Sequence, residues 1–225
     1  MIHRAPMTRE EMFGDMKDIV FVIPARLEST RLKHKMLIEF DGKPLIRIVF
    51  DKVKAMGYDT FVVTDSPKIA EVIPEQNVWI TNEAENGTAR IRQLGDFLDE
   101  YQNIINIQGD MIDISYDTVK PFIDRRKESY FVYTAYTKGY EPNGVKVLHQ
   151  DGKAMWFTRS DIGYGDRHLG IYMYKPYALS CYDLLTDAYP QEDLEQNRYL
   201  GLYEINVCEV KYDGREINTI EDVNG

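Results

Sequence analysis

Between residues 18 and 110, short apolar β-branched runs alternate with amphipathic segments, and no other feature limits the fold of this chain as strongly. "DIVFVIPA" (18–25) carries apolar side chains at consecutive positions, the pattern of a strand covered on both faces. "PLIRIVFDKVKAMG" (44–57) has Pro44 suited to a first helical turn, sets Leu45, Ile48, Val49, Val53 and Met56 at helical spacing, and closes at Gly57. Then come a strand "DTFVVTD" (59–65), a helical "SPKIAEVIPE", a strand "NVWIT" (77–81), a helical "GTARIRQLGDFLDEY" (87–101) and a strand "NIINIQGD" (103–110). Such alternation predicts right-handed βαβ units and an α/β fold: a mainly parallel twisted sheet with helices on both faces. From about residue 129 the pattern changes. "YFVYTAYT", "GVKVLHQ", "AMWFTRS" and "LGIYMYK" are strand-like with little helix between them, which predicts a small mixed or antiparallel subregion. A helical "DLEQNRYLGLYE" (193–204) and a strand "INVCEVKY" (205–212) follow. With no internal repeat or long linker, residues 19–225 read as one domain. Residues 1–18 read as an N-terminal extension, a short amphipathic helix or a mobile arm.

The chain carries a formal charge of −10, yet Arg26, Arg31, Lys33 and Lys35 fall within the ten positions 26–35, directly behind the first strand. An acidic protein is repelled from nucleic acid and from anionic membranes, so neither is expected as a partner. Any anionic ligand has to be held by a local basic site. In open parallel sheets that site lies beyond the carboxyl ends of the strands, where the basic run and "QGD" (108–110) would share one edge. Arg26 and Arg31 offer forked donors and Lys35 a point charge, suited to phosphates. Asp110 suits Mg²⁺, which takes one or two protein carboxylates plus phosphate oxygens and water. Taken alone, the basic run equally fits a solvated charged surface, and Asp110 fits a cap for a following helix. Cys181 and Cys208 are too few for a disulfide framework and read as buried thiols of a reducing cytoplasm. The opening "MIHRAPMTREEMFGDMKD" lacks the apolar run of a secretory signal.

Seven stretches, taken in order, resemble one family. "IPARLESTRL..K" is similar to the "IPAR..STRL..K" that opens sugar-activating cytidylyltransferases, above all the CMP-3-deoxy-manno-octulosonate synthetases. "NGTAR" (86–90) resembles that family's "SGTER", "NIQGD" (106–110) its "NVQGD", and "NGVKVLHQDGKAMWFTRSDI" (143–162) its "NAVKVV.D..G.ALYFSR..I". "RHLGIYMYK" (167–175), "DLEQNRYL" (193–200) and "INTIEDV" (217–223) resemble "KHIGIYGYR", "LEQLRVL" and "VDTPEDL". The resemblance implies a nucleotide-diphospho-sugar-transferase fold divided into a nucleotide half (about 19–128) and a sugar and dimerisation half (about 129–225). It also implies a reaction in which CTP and an acidic eight-carbon sugar give a CMP-sugar and pyrophosphate, within lipopolysaccharide biosynthesis. Mg²⁺, with Mn²⁺ as an alternative, is the implied cofactor, and a cytoplasmic homodimer is the implied assembly.

Carried over by position, Arg26 and Lys35 handle the triphosphate with Arg31 in support, and Gly87, Thr88 and Arg90 form the loop that reads the nucleotide. Gln108 and Asp110 stand at nucleotide and metal positions, which makes Arg26, Lys35 and Asp110 the catalytic set. Arg159, His168, Glu195, Gln196 and Arg198 fall on the sugar side. For His168 alone, a buried structural histidine is the simpler reading. Tyr172, Tyr174, Tyr177 and Tyr182 read as core and interface. The chain also departs from the family. Asn218 stands where a second metal-binding aspartate is expected, with Glu221 or Asp222 as poorly spaced substitutes. Met111-Ile112 replaces "EP", and Lys33-His34 replaces Pro-Gly, adding charge and removing a turn. The segment between Arg159 and His168 is short, which removes wall from the sugar pocket. A different sugar or sugar phosphate, or a non-catalytic nucleotide-binding relative, therefore stays open beside the leading reading.

Overall fold

The computed structural model describes residues 17–28 and 32–224. Strand β1 (Lys17–Ala25) is buried from Ile19 onward because it feeds two cores: Ile19, Phe21, Ile23 and Ala25 enter one, Val20 and Val22 the other. It starts at Lys17, so the last two residues of the expected extension belong to the sheet. Residues 1–16, and with them the predicted helix or arm, lie outside the described residues, as does Arg31.

After β1 the chain makes a two-stranded ribbon, β2 (Glu39–Phe40) and β3 (Lys43–Pro44), then helix α1 (Leu45–Lys54). Pro44 precedes the helix instead of opening it, since its ψ of 142° is extended and it pairs with Glu39. β4 (Asp59–Thr64), α2 (Pro67–Ala70) and β5 (Val78–Ile80) follow. The helix expected over 87–101 is divided into α3 (Gly87–Arg92) and a 3₁₀ segment (Gly95–Glu100), with Gly95 at φ 55°, a value no continuous α-helix accommodates. β6 (Tyr101–Asn106) leads to α4 (Tyr116–Arg125), a helix with no counterpart among the sequence expectations. Pro121 lies inside α4 and spoils its sequence signal, yet Val119, Phe122 and Ile123 fix it on the core and Ser115 caps it.

The second half supplies β7 (Val132–Thr137), β8 (Lys146–Gln150), β9 (Lys153–Thr158), β10 (Asp166–Tyr174), α5 (Pro176–Ser180), α6 (Asn197–Leu200), β11 (Ile205–Glu209) and α7 (Ile220–Asn224). The helix expected over 193–204 is reduced to α6, because a 3₁₀ turn at Pro190–Glu192 and the left-handed Asp193 (φ 49°) occupy its approach.

Among the described residues nine strands form one mixed sheet, ordered β5-β4-β1-β6-β10-β7-β11-β9-β8. β5, β4, β1 and β6 are parallel, and β10 enters antiparallel between β6 and β7. The antiparallel part is thus not a separate patch but a direct continuation of the parallel sheet. Helices cover both faces: α1, α2 and α4 pack on the core of Phe21 and Ile105, α3, α5 and α6 on that of Val22 and Tyr172. The chain runs from β1 outward to β4 and β5, then returns to place β6 on the other side of β1. The strand order therefore reverses between β1 and β6, which opens a crevice beyond their carboxyl ends.

The loop leaving β1 keeps the turn whose loss the Lys33-His34 exchange predicted. Lys35 N donates to the Leu32 carbonyl at 3.2 Å across Lys33-His34, and His34 itself takes a left-handed conformation (φ 52°, ψ 31°). A non-glycine residue pays about 1 kcal/mol for that conformation. His34→Gly should raise stability by up to about 1 kcal/mol, less the entropy glycine gains in the unfolded chain. Chemical denaturation of the two proteins measures the difference.

Candidate active site

The crevice at the reversal brings the two predicted loops into contact. Lys35, on a 3₁₀ turn (Lys35–Leu37), is 8 % exposed and its Nζ donates to Asp110 Oδ2 at 2.6 Å. The same ammonium is 3.5 Å from Asn218 Oδ1. Asp110 holds neighbouring segments through its backbone, its carbonyl accepting from Ile112 N and from Ile217 N, each at 3.0 Å. The helix-cap alternative for Asp110 fails, since Ser115 caps α4. Asp222 does not replace the missing aspartate: its Oδ2 accepts from the backbone N–H groups of Asn218 and Thr219 at 2.8 and 2.7 Å. Arg26 lies exposed just past β1 on the same edge. Gly109 packs so tightly that a Cβ would stand 3.0 Å from Ile46 Cδ1 and 3.1 Å from Met36 Sδ, which explains the glycine of "QGD". The donor set fits a divalent cation shared with phosphates: one carboxylate and one amide oxygen converge on a single point, 2.6 and 3.5 Å from Lys35 Nζ. Among the described residues no group of three or more His, Cys, Asp or Glu is placed to hold a metal by itself.

The "NGTAR" stretch opens α3. Asn86 Oδ1 accepts from Ala89 N at 2.9 Å, and its Nδ2 donates to Tyr182 Oη at 2.9 Å. Gly87 stands against Pro24, where a Cβ would come within 3.2 Å of Cγ, so the loop sits close on the end of β1. Thr88 is buried, its N–H donating to Glu195 Oε2 at 2.9 Å and its hydroxyl 2.8 Å from Tyr174 Oη. The Arg90 guanidinium is buried among protein partners, with Asp65 Oδ2 and Thr81 Oγ1 each at 2.7 Å. Gln108 is anchored through Nε2 to the Gly170 carbonyl at 2.9 Å, where β10 bulges between His168 and Tyr172.

On the sugar side, Arg159 is exposed but its peptide is clamped: Glu192 Oε2 accepts from Arg159 N at 2.9 Å, and buried Lys146 Nζ donates to its carbonyl at 3.0 Å. His168 is enclosed by Phe157 and Tyr172, with Nε2 2.7 Å from Thr134 Oγ1. Gln196 Oε1 accepts from Tyr172 Oη at 3.0 Å. Burial raises the Glu195 carboxyl above its usual range, against the opposing pull of the Thr88 N–H. Arg198 Nη2 reaches Glu85 Oε1 at 2.7 Å, with the guanidinium over the Tyr182 ring. Tyr172, Tyr174 and Tyr182 are core as expected, while Tyr177 is 61 % exposed. Both cysteines are buried and free. The supports Asp65, Lys146 and Glu192 were not singled out by sequence. Each is a lone charged residue whose partners are brought together only by the fold.

Burial pushes the His168 imidazole down to about 3 from 6.5, with the Arg159 charge acting in the same direction. The neutral ring thus contributes stability above about pH 6.5 that is lost as pH falls toward about 3. His168→Gln, which cannot take up that proton, should lose melting temperature less steeply than the wild type between pH 6.5 and 4. A parallel fall in both proteins would show that His168 is not the group titrating.

The open sheet with its reversal between β1 and β6, and the lysine–carboxylate pair beyond their carboxyl ends, are an arrangement shared with nucleotidyltransferases of the nucleotide-diphospho-sugar-transferase fold. The profile of the family described as Cytidylyltransferase matches residues 20–209, and the chain belongs to that family. It is 31% identical over 231 residues to the 3-deoxy-manno-octulosonate cytidylyltransferase of Acaryochloris marina, covering 92% of this chain and 94% of the relative. It is 34% identical over 234 residues to that of Chlorobium chlorochromatii, covering 91% and 93%. The solved structure of a CMP:2-keto-3-deoxy-manno-octonic acid synthetase complexed with CTP superposes with a TM-score of 0.82 at 28% identity, covering 92% of this chain and 96% of that one. The 4-diphosphocytidyl-2C-methyl-D-erythritol synthase of Anaerococcus prevotii, at 14% identity and a TM-score of 0.60 over 92% and 95%, shares the fold. Cytidylyltransferases of this kind generally use a divalent metal. Among the described residues no helix is long and apolar enough to cross a membrane.

Proposed function

We propose that this cytidylyltransferase activates 3-deoxy-manno-octulosonate, or a closely related acidic sugar, with CTP. The observation that carries the reading is the Lys35–Asp110 pair at 2.6 Å, at the reversal of a sheet whose relatives bear that activity in their names. The anomeric oxygen bonds to the α-phosphorus, the bond from that phosphorus to the bridging oxygen breaks, and pyrophosphate leaves. The hydroxyl proton passes to solvent. Arg26 and Lys35 bind the triphosphate, with Arg31 included from its sequence position alone. Gly87 and Thr88 bring backbone close to the nucleotide, and Arg90 holds that loop through Asp65. Gln108, fixed by the Gly170 carbonyl, faces the nucleotide from the β6 side. Arg159, on its clamped peptide, meets the sugar carboxylate, and His168, Glu195, Gln196 and Arg198 shape the rest of the acceptor side.

Mg²⁺, with Mn²⁺ as the alternative, is the ion of this reading, and Asp110 and Asn218 would hold it. Bound there, such an ion neutralises triphosphate charge and favours ionisation of the attacking hydroxyl. Residues 19–128 act as the nucleotide half and 129–225 as the sugar and dimerisation half of one domain. Exposed Phe131 and Tyr177, with rings 6.0 Å apart, support a homodimer, and the buried free thiols support a cytoplasmic setting.

The test is pyrophosphate release with CTP and a panel of sugars. Octulosonate should outrun sugar phosphates, and CTP should outrun ATP and GTP. CTP binding without turnover on any sugar would mark a non-catalytic relative. Lys35→Met should weaken CTP binding about ten- to a hundredfold by calorimetry, the worth of a charge-assisted contact. Asn218→Asp should lower the metal concentration giving half-maximal rate, because a second carboxylate adds the charge that favours a hard cation.

A further inference from the structure

Asn106, the last residue of β6, is fully buried, and neither its Nδ2 nor its Oδ1 meets a hydrogen-bond partner among the described residues. Its register partners are Val22 in β1 and Tyr172 in β10, both contributors to one core. An amide amid such neighbours is an odd choice: a leucine would fill similar space, whereas each unpaired buried polar group costs about 1–3 kcal/mol. A second orphan lies at the Tyr172 hydroxyl. Gln196 accepts from the Tyr172 hydroxyl, yet its own Nε2 is buried without a partner. Two donors and one acceptor are therefore left unpaired around a single tyrosine, at the carboxyl end of the strand that leads to Gln108 and Asp110.

We propose that Asn106 is a specificity-determining residue, whose amide, together with Gln196 Nε2, takes hydroxyl groups of the sugar acceptor. This rests on the reading of the chain as a sugar-activating cytidylyltransferase. The chemistry selects hydroxyls over other groups. An alcohol both donates and accepts, so neighbouring hydroxyls satisfy Nδ2 and Oδ1 together, while a carboxylate would face Oδ1 with like charge. The sugar carboxylate belongs instead with Arg159, whose positive charge is felt at both His168 and Tyr172. The unpaired amides are a stability cost in the free enzyme that the bound acceptor relieves.

Asn106→Leu and Asn106→Ala test this through melting temperature, CTP affinity by calorimetry, and the KM and kcat for each sugar of the panel. The leucine variant should melt at or above the wild type, because it removes two unpaired polar atoms. Both variants should bind CTP within twofold of wild type and raise the sugar KM ten- to a hundredfold, with a smaller change in kcat. If the wild type prefers another hydroxylated sugar and the variants raise its KM, the octulosonate assignment fails and the role of Asn106 stands. If octulosonate is the substrate and both variants keep its KM within twofold, the role of Asn106 is overturned and the assignment stands. Loss of stability in both variants with an unchanged sugar KM would likewise overturn it, marking Asn106 as a purely structural amide. No turnover of any sugar by the wild type would overturn both.

Discussion

One ion pair, Lys35 to Asp110, joins loops 75 residues apart, and the candidate site is organised around it. The contact exists because β1 pairs in parallel with β6, so that the loops leaving the two strands emerge side by side. Parallel pairing in turn requires the excursion through β4 and β5 before the chain returns, and that detour opens the crevice between the two exits. In an acidic chain, a lysine so enclosed needs a carboxylate beside it. Asp110 provides one, and under the proposed function both groups meet the triphosphate.

The surroundings of this pair follow one rule: a side chain facing the crevice is positioned by buried groups behind it. Arg159 is exposed, while Glu192 and Lys146 fix its peptide. The Gly87 loop is fixed by Asn86, Glu195 and the close packing of Pro24. Gln108 is aimed by a bulge in β10 that exposes the Gly170 carbonyl to it. Buried hydrogen bonds to charged groups are worth more than exposed ones and are costly to break, so these supports limit how far the working groups can drift. The stacked tyrosines 172 and 174 form the wall on which several of these contacts meet.

Much of this was legible in the chain because it depends on local pattern. The apolar run of β1, the strands from β4 to β6 and the basic residues behind β1 are periodicities and charges that need no partner to be recognised. Element lengths were less legible. The segments over 87–101 and 193–204 carry helical spacing, but Gly95 and Asp193 take left-handed backbone that cuts them short. In α4 the reverse holds: Pro121 hides a helix that core packing enforces. At Lys33-His34 the lost Pro-Gly pair suggested a lost turn, yet the loop kept it by placing His34 itself in the left-handed region.

The sequence by itself determined the α/β class, the strands from β1 to β6 and the motifs at their carboxyl ends, because each is written in neighbouring residues. Tertiary structure alone decided what those motifs touch. Arg90 turned inward to Asp65, Asp222 was committed to its own backbone, His168 was enclosed, and Asn106 was left with an unpaired amide. These outcomes depend on which surfaces the sheet brings together across tens of residues. The free energy of a buried polar group is set by partners that no local stretch of sequence contains.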